Sequence, residues 1–124
     1  MTPEELVTYS KNKYIALETY RKNNEAVRTP VWFVIKDDLV YVVTRSQTGK
    51  VKRLKNNQKV KIATCTIKGK ITGQWMHGTA KILTETETKD AVKWRDKKYG
   101  FMAKIAKFLS KSKGEFFAFS IKID

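Results

Sequence analysis

The chain is poor in the side chains that carry out catalysis unaided. It has one cysteine, Cys65, and one histidine, His77. A single cysteine closes no internal disulfide and builds no cysteine zinc cluster. A single histidine without neighbouring carboxylates makes no metal site, and no Ser-His-Asp or Cys-His arrangement can be assembled around it. Paired carboxylates of the kind used in acid–base hydrolysis do not stand out. No apolar run approaches membrane-spanning length, so no membrane partner is expected on that ground. The Met1-Thr2-Pro3-Glu4-Glu5 start is acidic and has no basic flank or apolar stretch of a signal peptide, and the expected setting is the reducing cytoplasm. The 124 residues fit one domain.

Acidic residues are the other scarcity, and they are missing from one region in particular. Lys and Arg total 26 against 12 Asp and Glu, a net charge of +14. Between Leu39 and Thr84 there is no acid, while ten basic residues fall there, from Arg45 to Lys81. Such a stretch attracts nucleic acid, an anionic membrane or a phosphorylated small molecule. Aromatic residues, 11% of the chain, are spread throughout and argue against disorder.

The local patterns define the elements. Thr2-x-x-Glu5 has the form of a capping box with Pro3 at the first helical position, which predicts a short helix to about Ser10. Tyr14–Tyr20 alternates as a strand. Asn23-Asn24 reads as a tight turn, because Asn tolerates positive φ. Glu25–Lys36 reads as a second strand, with Pro30 marking a missing ladder N–H. Asp37-Asp38 turns into a third strand at Leu39–Thr44, so a three-stranded meander is expected. Val51 and Leu54 at helical spacing predict a basic helix capped by Thr48. Val60–Thr66 and Trp75–Leu83 follow as strands. A helix from Thr84 continues through Trp94 and Arg95, and Phe101, Ile105, Phe108 and Leu109 form a further helical stripe. Gly114 stops it, and Phe116–Ile123 is the last strand. Six strands with a few small helices predict a mainly β fold, a small antiparallel β-barrel.

The sharpest local feature is Thr44-Arg45-Ser46-Gln47-Thr48-Gly49-Lys50-Val51-Lys52-Arg53. A strand ends, a hydroxyl-rich turn follows, and a helix begins. Free N–H groups at a helix start, Ser and Thr hydroxyls, and cations at Arg45, Lys50 and Arg53 together suit a phosphate ester. The spacing is not that of a Walker loop. Lys50 and Arg53, three residues apart, are expected on one helix face. Cys65 lies in a strand pattern and reads as a small core residue, and His77 reads as a structural hydrogen-bonding residue. Trp32, Phe33, Trp75, Trp94 and Phe101 suit core packing, a planar ring or stacked bases. Composition alone leaves a cofactor barrel and a nucleic-acid barrel both open.

Three ordered segments add a resemblance. Arg28-Thr29-Pro30-Val31-Trp32-Phe33, Val42-Val43-Thr44-Arg45-Ser46 and Gly49-Lys50-Val51-Lys52-Arg53-Leu54, with Gly73-x-Trp75-x-x-Gly78-x-Ala80 later, are similar to the split β-barrel flavin and deazaflavin proteins related to pyridoxamine 5′-phosphate oxidase. The chain most resembles their small F420-dependent oxidoreductase branch. The resemblance implies a six-stranded antiparallel split β-barrel of FMN-binding type and a homodimer with cofactors in grooves between subunits. By position it implies that Thr44, Arg45, Ser46, Lys50 and Arg53 hold the cofactor phosphate, in agreement with the anion site read from the turn, to which Thr48 also belongs. It places Arg28, Thr29, Pro30, Val31 and Trp32 beside the ring, and brings Trp75 and His77 to the groove. The chain departs from the family at Gln58, where a proline usually follows the asparagine, and at Asn24, where glycine is common. The substrate motif of true pyridoxamine phosphate oxidases is not recognisable in Phe116–Asp124, which argues against vitamin-phosphate oxidation. The expected function is an F420-dependent oxidoreductase that passes a hydride to or from an unsaturated small-molecule substrate, with FMN as the alternative cofactor. Rival readings are a non-catalytic carrier of flavin, deazaflavin or haem, and a nucleic-acid barrel, the last disfavoured by the resemblance.

Overall fold

The computed structural model describes residues 2–124. Helix α1, Pro3–Ser10, starts on the predicted capping box. The Thr2 hydroxyl accepts from the Glu5 N–H at 3.1 Å, and the Glu5 carboxylate accepts from the Thr2 N–H at 3.4 Å. Strand β1, Ile15–Tyr20, pairs with β2, Ala26–Val31, through a turn in which Asn24 takes φ 68°. Strand β3, Val34–Lys36, pairs with β4, Leu39–Arg45, across Asp37 and Asp38. Both aspartates have positive φ, 51° and 64°, the backbone of a two-residue hairpin turn whose twist matches its strands. Then follow α2, Gly49–Asn56; β5, Lys59–Thr64; β6, Met76–Ile82; α3, Glu85–Tyr99; α4, Phe101–Leu109; a single 3₁₀ turn; and β7, Phe116–Ile123.

Among the described residues seven strands form one sheet in the order β2-β1-β5-β6-β7-β4-β3, with every pairing antiparallel. The edge strands β2 and β3 are consecutive in the chain, with Trp32 and Phe33 alone between them. Three peptide steps span at most about 11 Å, so the sheet must curl until its two edges nearly meet. The fold is therefore mainly β, a curled antiparallel sheet of split-barrel type.

Two expectations are corrected here. The strand count is seven rather than six, because the segment read as one strand from Glu25 to Lys36 breaks at Trp32–Phe33. The three-stranded meander does not form, since β4 pairs with β3 and β7 and not with β2. The cause lies in α3, far along the chain. The Phe33 N–H donates to the Tyr99 hydroxyl at 3.0 Å, and that hydroxyl donates to the Lys13 carbonyl at 2.7 Å. The Phe33 carbonyl accepts from the Lys98 ammonium at 2.9 Å. Side chains of α3 thus take the backbone groups that a neighbouring strand would have taken. Phe33 is then free to turn into the core.

The core lies inside the curl. Ile15, Leu17, Phe33, Val40, Val42, Val60, Ile62, Phe119 and Ile121 alternate inward and are essentially inaccessible, and Val51 and Leu54 of α2 are buried in the same way. Gly78 has a packing reason, since a Cβ there would lie 2.8 Å from Ile121 Cγ2 and 2.9 Å from the Lys122 carbonyl. Cys65 is a buried free thiol, and burial pushes its pKa up. The stripe on α4 behaves differently. The helix forms where the spacing predicts, but Ala103 is its one buried residue, and Phe101, Phe108 and Leu109 are 74%, 71% and 73% exposed.

Lys98 carries a testable consequence. Burial lowers its pKa to about 8, while an unfolded lysine titrates near 10.4. Between those values the unfolded chain holds more of the proton. The destabilising share is therefore full below pH 8 and fades as pH rises toward 10. Urea unfolding of the wild type should gain stability from pH 7.5 to pH 9.5 relative to Lys98→Met, and parallel curves for the two proteins would refute the assignment.

Candidate cofactor-binding cavity

A cavity of about 310 Å³ opens where three parts of the chain converge. The end of β2 brings Pro30, Val31 and the adjoining Trp32. The end of β4 brings Val43, Thr44 and Arg45, and the start of α2 brings Thr48 and Lys50. Seven of the residues singled out from sequence thus line one space: Pro30, Val31, Trp32, Thr44, Arg45, Thr48 and Lys50. The other wall comes from Tyr14, Arg95, Ala106, Ser110, Lys113 and Phe116, which the sequence patterns did not indicate. Arg95 could have been noticed as a cation beside an acid in a helix. The rest carry no local signal, because α3 and α4 fold back over the β4 end only in three dimensions.

The lining holds four cations, Arg45, Lys50, Arg95 and Lys113, and no carboxylate. They are not equally free. Arg45 donates from Nε to the Ser110 hydroxyl (3.0 Å), from Nη1 to the Gly114 carbonyl (3.2 Å) and from Nη2 to the Lys107 carbonyl (3.1 Å). Its guanidinium also lies 3.8 Å from the Phe116 ring centroid. Arg95, only 7% exposed, is paired with Asp96 at 3.1 Å. Burial alone would raise the Asp96 pKa, but hydrogen bonds from Lys107 and Arg95 hold it below the ordinary value. Lys50 has no salt-bridge partner among the described residues. Burial, and then the charge of Arg53, lower its pKa. A cation so placed gains from any anion that enters.

The remaining sequence-selected residues lie elsewhere. Lys50 and Arg53, expected on one face, face different spaces. Arg53 donates from Nε to the Thr19 hydroxyl at 2.6 Å and lines a second cavity of about 370 Å³ with Arg21, Lys22 and Lys52. The Thr48 hydroxyl does not cap α2; it donates to the Arg45 carbonyl at 3.1 Å and tightens the turn before the helix. Ser46 accepts from the Glu115 N–H at 3.1 Å, tying the turn to β7. Ser46 also lines a third recess, which shares Thr48 with the main cavity and holds Lys52 and Lys55.

Arg28 reaches away from the cavity. It donates to the buried Glu18 carboxylate at 2.8 Å, and its guanidinium lies 4.8 Å from the Trp75 ring centroid. Burial raises the Glu18 pKa, but hydrogen bonds from Tyr20 and Arg28 outweigh it and leave it lowered. The Thr29 hydroxyl is buried without a partner among the described residues. His77 is exposed on β6 and lines a fourth cavity with Lys59, Lys61 and Asp124. No hydrogen bond reaches its imidazole from the described residues, so its role as a structural hydrogen-bonding residue has no partner there. No helix among the described residues is long and apolar enough to cross a membrane.

The comparisons with known proteins agree with this architecture. None of the curated proteins matches the chain. Among solved structures it is similar to HutZ, the heme storage protein from Vibrio cholerae, with TM-score 0.73 and 14% identity, covering 98% of this chain and 89% of that one. It is similar to a protein related to general stress protein 26, of the pyridoxinephosphate oxidase family, from Clostridium acetobutylicum: TM-score 0.67, 20% identity, 97% and 80% covered. A FAD-binding protein from Mesorhizobium loti superposes with TM-score 0.62 at 14% identity, 100% and 89% covered. These likenesses concern the fold. The model of the pyridoxamine 5′-phosphate oxidase family matches residues 1–124, and the chain belongs to that family.

Proposed function

We propose that the chain binds a phosphate-bearing flavin-type cofactor in the cavity at the β4–α2 turn and acts as an oxidoreductase, with deazaflavin F420 as the preferred cofactor and FMN as the alternative. One observation carries this reading: a cavity lined by four cations and no carboxylate, in which Lys50 has no ion-pair partner among the described residues. That donor set fits a phosphate ester. Lys50 holds the phosphate, with the Thr48 and Thr44 side chains beside it. Pro30, Val31 and Trp32 line the ring end, where Trp32 is held by stacking on Tyr99 with centroids 4.2 Å apart and planes within 8°. Phe116, Val43 and Ala106 exclude water from the wall. Such a cofactor, when bound, supplies hydride transfer, and the protein positions and shields it. In this reading Arg45 shapes the cavity, because its donors already serve Ser110, Gly114 and Lys107.

The preference for F420 rests on the neighbouring recess. Thr48 lines both spaces, and Lys52 and Lys55 stand beyond it. A polyglutamyl tail leaving the phosphate would meet those lysines, whereas FMN has no tail. A homodimer, as the resemblance implies, belongs to the same reading. Haem is a weaker fit for this cavity, since the one histidine, His77, lines another.

Fluorescence titration of Lys52→Gln/Lys55→Gln tests the choice of cofactor. F420 affinity should fall about fivefold, consistent with exposed pairs, and the loss should shrink with salt. FMN affinity should hold. Equal losses for both cofactors, or none for either, would remove the support for F420.

A further inference from the structure

We propose that α4 is a docking surface for an anionic phospholipid bilayer. This rests on the helix alone and not on the cofactor reading. Phe101, Met102, Ile105, Phe108 and Leu109 are 74%, 47%, 45%, 71% and 73% exposed. At 3.6 residues per turn they share an arc of about 120°. The helix is packed the reverse of a core helix. Small Ala103 is 1% exposed, on a helix that packs against α3, while the large apolar side chains are left open to solvent.

The charge around this face selects the occupant. From Lys97 to Gly114 there is no acid, and there are six lysines. Two are engaged within the protein, Lys107 with Asp96 at 3.1 Å and Lys98 with the Phe33 carbonyl at 2.9 Å. Lys97, Lys104, Lys111 and Lys113 are exposed, and Lys111 Nζ lies 5.7 Å from the Phe108 ring centroid. An apolar face rimmed by lysines is the pattern of a helix that lies in the lipid interface, with its rings among the acyl chains and its ammonium groups at anionic headgroups. A second copy is a poor occupant. It would bring the same acid-free lysine segment against itself, so the homodimer of the proposed function is one that joins through other surfaces. No helix among the described residues is long and apolar enough to cross a bilayer, and lying on one needs no such helix.

Sedimentation of the full chain with vesicles tests this. One set contains phosphatidylcholine only, the other also phosphatidylglycerol at about one lipid in three. Phe108→Ser/Leu109→Ser alters two side chains that already face solvent, and its melting temperature checks that the fold is kept. The wild type should bind the phosphatidylglycerol vesicles at least tenfold more tightly than the neutral ones, and the variant should lose at least tenfold on the former. No binding to phosphatidylglycerol vesicles overturns the proposal, as does equal binding to both sets or undiminished binding by the variant. An oligomer in the wild type that dissociates in the variant, seen by light scattering, would assign the face to self-association and also overturn it.

Discussion

Arg45→Ala should cost about 3 kcal/mol of stability with no ligand present. The three hydrogen bonds from this side chain hold the Lys107 and Gly114 carbonyls and the Ser110 hydroxyl, and so fasten the α4 end and the following turn to β4. The guanidinium also covers the Phe116 ring at the start of β7. Removing it leaves two carbonyls without that partner and uncovers an aromatic face. Partial access to water returns much of the loss, which keeps the total for the three bonds near the upper value for a single bond from a charged donor. For a chain of 124 residues this amounts to a melting temperature lower by about 10 °C. Arg45→Lys should lose most of the same stability, because an ammonium cannot serve three divergent acceptors as a planar fork does. Differential scanning calorimetry of the ligand-free proteins decides it. A residue whose whole role is to hold phosphate would leave the ligand-free melting temperature unchanged.

That result bears on how far the sequence could be read. The motif around Thr44–Arg53 was legible because a strand end, a turn and a helix start are local events, and the structure does place Thr44, Arg45, Thr48 and Lys50 around one cavity. The partners of Arg45 were not legible. They lie more than 60 residues on, and nothing in their types marks them as acceptors, since two are backbone carbonyls. The break at Trp32–Phe33 was hidden for the same reason. Its local sequence is apolar and β-prone, and the groups that end the strand belong to Lys98 and Tyr99. Lys50 and Arg53 show a different limit. Spacing gives a shared helix face, but Thr19 on β1 draws the Arg53 guanidinium into a neighbouring cavity. The α4 stripe shows a third, because period alone does not tell whether an apolar face meets a core or the outside. The hairpin turns at Asn24 and Asp37–Asp38 and the capping box at Thr2 were read correctly, each depending on a few adjacent residues.

Lys50→Glu should abolish cofactor binding, with affinity lower by at least about 100-fold. The substitution removes a cavity cation that has no salt-bridge partner among the described residues and puts a carboxylate where a phosphate is to sit. Stability should change little or rise. Burial would penalise a carboxylate there as it does the ammonium, but the Arg53 charge, which disfavours the lysine, would favour the carboxylate. Loss of binding without loss of folding therefore separates Lys50 from Arg45, whose change should weaken the fold first. Lys50→Ala should fall between, with affinity lower by roughly tenfold to 100-fold.

The most direct measurement is a calorimetric titration of the wild-type chain with FMN and with riboflavin, which share the ring and differ in the phosphate. If the cavity is a phosphate-anchored cofactor site, FMN binds and riboflavin binds at least about tenfold more weakly, a difference that disappears in Lys50→Glu. Equal affinity for the two ligands in the wild type, or a preference for FMN that survives in Lys50→Glu, would contradict the account.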